Sequence, residues 1–162
     1  MFAFKESVDR FEDLSVHERK NLIAALHELL DTSLDAALGY AAAAKAVTDP
    51  GLRLVFEGYA GDRAAHAANL RELLVLLGAS PDAQASLGGE LHRAIIELRG
   101  RMEHGNPVSL LSECERGERV SLARYERALQ LRLSLPVVNV LLEHATSIRD
   151  AHAALERMRH PW

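Results

Sequence analysis

The chain has 162 residues, 48% hydrophobic but only 5% aromatic, with a formal net charge of −4. That length suits one domain able to bury a core, and the mild charge, with basic residues spread along the chain, argues against a nucleic-acid or acidic-membrane surface. The single cysteine, Cys114, excludes an internal disulfide; no run of about 18 apolar residues could span a bilayer.

The first 14 residues, MFAFKESVDRFEDL, lack an apolar stretch long enough for a signal peptide, so a reducing, cytoplasmic setting is expected. Phe2, Phe4, Val8 and Phe11 recur at helical intervals there. Residues 1–14 therefore read as an arm or short helix with no slot inside one bundle, packing on a neighbouring subunit or on the outside of its own. Residues 15–162 read as one helical unit. Ser15-Val16-His17-Glu18 is a capping box, so a helix is expected over about 16–47. Asp49 caps a second helix with Pro50 at its first position; it runs to about 77 and stops at Gly78. Residues 79–88 are turn-rich, and 89–104 read as a connector helix broken by Gly105-Asn106-Pro107. Helices over about 107–133 and 136–159 follow, the last opened by Leu135-Pro136. Nothing alternates with strand period, so the class is all-α. Two tight hairpins joined by one long crossover carrying a short extra helix make the ferritin-like up-down antiparallel four-helix bundle.

The halves look like copies. Pro50, Glu57, Arg63, Ala65, His66, Ala67 and Ala68 recur at a constant offset as Pro136, Glu143, Arg149, Ala151, His152, Ala153 and Ala154. The second helix has a 4-3 seam of Leu52, Phe56, Tyr59, Arg63, His66, Leu70, Leu73 and Leu77. Arg63 and His66 thus interrupt an apolar stripe. The first-helix seam contains Ser33 and Tyr40, and the third contains Cys114, Glu118, Ser121 and Tyr125. In the fourth helix the most apolar phase is Val137, Leu141, Ile148, Ala151, Leu155 and Met158. A core polar layer of Ser33, Tyr40, Arg63, Tyr125 and Arg149 is expected, together with His66, Glu118 and His152.

Di-iron bundles of this topology set a Glu on each of two helices and Glu-x-x-His on each of the other two. Here both histidines are present, as His66 and His152, but arginines stand at both carboxylate positions, Arg63 and Arg149. Glu118 is a plausible third ligand; its first-helix counterpart is Ser33. Two guanidiniums cannot be titrated away, so the di-metal centre reads as lost, with Glu118 paired to an arginine and no cofactor expected. Two alternatives stay open: one ion of iron, manganese or zinc on His66, Glu118 and His152, or di-metal chemistry drawing on Asp31, Asp35, Asp62 or Glu115. His27, His92, His104 and His144 read as surface or edge residues. Cys114 reads as an inert buried thiol. Gly39, Gly58, Gly61 and Gly117 lie inside helices, where they could mark close helix contacts.

Several motifs resemble an uncharacterised bacterial four-helix-bundle family of the ferritin-like superfamily, the domain of unknown function 2383 type. They are Asp35-x-x-x-Gly39-Tyr40, Asp49-Pro50-x-Leu52-x-x-x-Phe56, Arg63 with Leu70, Leu91-His92-Arg93, Glu113-Cys114-Glu115-Arg116-Gly117-Glu118 with Tyr125, Leu135-Pro136 and His152. Ala37, Ile95 and Arg119 depart from that pattern, where a Glu, a Trp and an acidic residue are usual. The resemblance implies the fold and brings no activity with it. The expected function is a non-enzymatic helical protein, a homo-oligomer with a dimer preferred. A metal-dependent oxidoreductase and a binder of a small anion against Arg63 and Arg149 are the rivals.

Overall fold

The structure, a computed structural model, describes residues 13–82 and 107–160. Four helices result: α1 (Val16–Ala46), α2 (Pro50–Leu76), α3 (Pro107–Ala128) and α4 (Leu135–Arg159). The expected connector helix at 89–104 and residues 1–12 of the arm lie outside the described residues; Leu14 packs against its own bundle's core.

Several of the starts and stops have a local cause. Ser15 Oγ accepts from the Glu18 backbone N–H, while Glu18 accepts from the Ser15 N–H at 2.9 Å. Two of the free N–H groups at the helix start are thereby satisfied. Asp49 Oδ1 accepts from the Leu52 N–H at 2.6 Å, with Pro50 opening α2. Gly78 (φ 71°) adopts the left-handed conformation, and the Ala79 and Gly78 N–H groups donate to the Leu74 and Val75 carbonyls. That is the Schellman pattern, in which glycine avoids the Cβ penalty. α3 ends five residues before the expected 133. Gln130 and Leu131 donate three residues back, to Arg127 and Ala128, and this tightening turns the chain toward α4 at Ser134-Leu135-Pro136.

The helices pair as hairpins, α1 with α2 and α3 with α4; the hairpins meet mainly where α1 lies on α3, and α2 touches α4 less. The apolar interior falls into two clusters. One gathers Leu22, Leu26, Leu30, Leu70, Leu73, Leu141 and Ile148; the other gathers Tyr40, Ala44, Phe56, Leu110, Leu111 and Leu155. Between them, along α1, α2 and α3, lie Ser33, Arg63 with His66, and Glu118, polar residues on the seams.

Candidate functional site

At mid-bundle Arg63 is 1% exposed. Its Nη2 donates to Glu118 Oε1 at 2.7 Å and its Nη1 to Ser147 Oγ at 3.2 Å. The Tyr40 hydroxyl donates to the same Glu118 oxygen. Burial, then the Glu118 charge, push the Tyr40 hydroxyl far above its ordinary range, so Tyr40 keeps its proton and remains a donor. Two donors on one carboxylate oxygen hold a charge pair out of water, which an unpaired group could not sustain.

Beside this pair runs a second network. Asn69 Nδ2 lies 3.2 Å from His144 Nε2, His144 Nδ1 lies 3.0 Å from the Tyr125 hydroxyl, and that hydroxyl lies 3.2 Å from Ser33 Oγ. Ser33 donates to the Leu29 carbonyl at 2.9 Å. One assignment satisfies every link. The Asn69 amide donates to Nε2, Nδ1–H donates to Tyr125, Tyr125 donates to Ser33, and Ser33 donates to the backbone. The His66 ring stacks on His144, centroids 3.9 Å apart. Burial, then His144 and Arg63, lower His66 to about 3; burial, then Arg63, lower His144 to about 4. Both rings are neutral at pH 7.

The seam phases placed Ser33, Tyr40, Arg63, His66, Glu118 and Tyr125 inward, and all are buried. Arg149 is a correction: it is exposed and lies 3.8 Å from Glu126 on the surface. The α4 seam runs through Ile148 and Ala151, and the next residue along a helix points about 100° away. His144, expected at an edge, is 1% exposed; it completes the 4-3 phase Val137, Leu141, His144, Ile148. Met158, expected on that seam, is exposed. His27, also expected at the surface, is buried and donates from Nε2 to the Ser80 carbonyl at 2.9 Å, tying down the turn after α2. His152 is half-buried, 3.8 Å from Glu115. Glu115, weighed as an alternative metal ligand, is buried, 2.9 Å from Arg159. Residues proposed as duplicates, Arg63 with Arg149 and His66 with His152, therefore occupy unlike environments.

The donor set does not fit a di-metal centre. Glu118 is held by a guanidinium and a hydroxyl, His66 is stacked on a second imidazole, and His152 sits with Glu115 instead. Among the described residues no group of three or more His, Cys, Asp or Glu side chains is placed to hold a metal ion. Nor do Arg63 and Arg149 converge on an anion.

A cleft of about 320 Å³ opens between α1 and α3. Its lining draws on Asp35, Gly39 and Tyr40 from one motif and on Glu113, Arg116, Gly117 and Glu118 from the other. Cys114 lies there too; burial, then Glu118 and Glu113, push its thiol up to about 12, so it is no nucleophile at neutral pH. The helical glycines do not mark close contacts, since a Cβ at Gly39, Gly58, Gly61 or Gly117 would meet nothing within 4 Å.

Three solved structures share the fold. A point mutant of the Mycobacterium smegmatis Dps1 protein matches at TM-score 0.74 with 16% identity, over 91% of this chain and 100% of its own. A ferritin-like, diiron-carboxylate protein from Bacillus anthracis str. Ames matches at 0.67 with 22% identity, over 91% and 100%. The bacterioferritin-related protein of Bacteroides fragilis, a dodecameric thioferritin, matches at 0.71 with 20% identity, over 94% and 90%. No curated protein matches. The model of the family described as a domain of unknown function (DUF2383) matches residues 21–131. On that match, and with the bundle its helices form, the chain belongs to the DUF2383 family and carries the ferritin-like fold.

Proposed function

We propose that this protein is a non-enzymatic member of the ferritin-like group, in which a protein-only ion pair has taken the place of the metal centre and the bundle works as a subunit of an assembly. The Arg63–Glu118 contact at 2.7 Å, with both side chains 1% exposed, carries this reading. A guanidinium at the position of a carboxylate ligand supplies a fixed positive charge where a cation would sit, and like-charge repulsion in a partly dry site weakens cation binding by several kcal/mol. Protein purified without added metal should hold iron, manganese and zinc far below one equivalent and should not accelerate Fe(II) oxidation. Metal near one equivalent, lost in the His66→Ala, His152→Ala double variant, overturns the reading in favour of the alternative, a single ion on His66, Glu118 and His152 or an oxidoreductase built on it.

The assembly part rests on the dodecameric relative and on the apolar spacing of Phe2, Phe4, Val8 and Phe11. A homodimer is the smallest form that would cover that segment. No helix among the described residues is long and apolar enough to cross a membrane, and a lone thiol suits a reducing compartment such as the cytoplasm. Light scattering should give at least a dimer mass for the full chain and a smaller mass for a chain starting at Leu14. A monomer mass for both removes the assembly.

A further inference from the structure

We propose that the cleft between α1 and α3 is a binding site for a small primary amine with an apolar body. The cleft, at about 320 Å³, is at the lower end of the range for small-molecule pockets. Its walls are made short by glycine. Gly39 and Gly117 line it from opposite helices, and a Cβ at either would meet nothing within 4 Å. A glycine inside a helix weakens that helix relative to alanine. No neighbouring atom asks for glycine at these two places, so their effect is to hold the cleft open. Ala36 and Val120 supply apolar surface beside them.

The cleft lining includes Glu118, whose Oε1 accepts from Arg63 and Tyr40 while the buried Oε2 has no hydrogen-bond partner among the described residues. An unserved carboxylate oxygen in a buried site favours a donor, and an ammonium brings up to three N–H groups and a positive charge. The cations at the cleft are already engaged. Arg116 donates from Nε and Nη2 to Glu113 Oε2, and Arg124 donates from Nη1 to Thr32 Oγ1 at 2.7 Å. An anion would have to displace those partners. This proposal stands apart from the metal-free reading, and chelator-treated protein keeps their outcomes separate.

The probes are benzylamine and n-pentylamine, with benzyl alcohol and benzoate as neutral and anionic counterparts, on the full chain by calorimetry and thermal shift. At least one amine should bind saturably, and benzoate should not. Gly117→Leu should weaken amine binding at least tenfold without lowering the melting temperature of the free protein. If Gly117→Leu does not fold, the Gly39→Ala, Gly117→Ala pair carries the test: the free protein should melt several degrees higher and bind amine more weakly. No saturable binding of either amine below about 10 mM, equal binding of benzoate, or unchanged affinity in the glycine variants overturns the site.

Discussion

Arg63→Ala should destabilise the fold by about 3–5 kcal/mol, because it leaves the Glu118 carboxylate buried without its charge partner. For a domain whose total stability is of order 5–15 kcal/mol, that is a large share, and the urea midpoint should fall sharply. Removing both charges, Arg63→Leu with Glu118→Leu, should recover part of the loss, since two desolvated ions disappear together. It should not recover all of it, because the Tyr40 hydroxyl then loses its acceptor, a cost of about 1–3 kcal/mol. Adding Tyr40→Phe should restore most of the remainder. A double variant no more stable than Arg63→Ala would show that the pair does not carry the energy.

Acid should act through a different pair of side chains. His66 and His144 take up protons in the folded protein only at about 3 and about 4, against 6.5 for an ordinary histidine. The unfolded chain therefore binds two protons that the folded chain refuses as pH falls below about 6.5. Stability from this source is complete above that value and is lost progressively toward the folded values. Each pH unit in that window costs about 1.4 kcal/mol per histidine, so moving from pH 7 to pH 5 should remove roughly 3–4 kcal/mol. Burial, the neighbouring imidazole and Arg63 all disfavour the charge on His66. Denaturant titrations at several pH values check this, with His66→Phe expected to remove about half of the slope. A flat profile between pH 7 and 5, or a slope unchanged in that variant, would rule the mechanism out.

Apolar periodicity and cap chemistry revealed the helices because both are local. Ser15, Asp49 and Gly78 each act within one turn, and the structure uses each as its type suggests. Arg63 and Glu118 were legible for a related reason: a charge on an otherwise apolar seam must have a partner inside. What stayed hidden depends on partners distant in sequence. Glu115 stands in the charge-rich stretch from Glu113 to Glu118, and the partner beside it, Arg159, lies on another helix. His144 continues the phase of Val137 and Leu141, a signal local to α4, whereas the apparent duplication points to His152. Repetition of residue types did not carry repetition of burial: Arg149 copies Arg63 in sequence and lies in water. The helical glycines are ambiguous in sequence, because a glycine that lets helices touch and one beside open space look alike.

The polar layer between two apolar clusters also settles how the helices can slide. Seams of leucine and alanine on a 4-3 repeat look nearly the same after a shift of seven residues, about 10.5 Å along a helix, so grease alone would allow several alignments of comparable quality. Only one of them brings Arg63 opposite Glu118 while threading Asn69, His144, Tyr125 and Ser33 into a continuous line of donors and acceptors. Any other alignment strands a guanidinium and a carboxylate in hydrocarbon. The layer thus acts as a key cut at a single height, fixing the vertical alignment of four helices that their apolar faces alone would leave ambiguous.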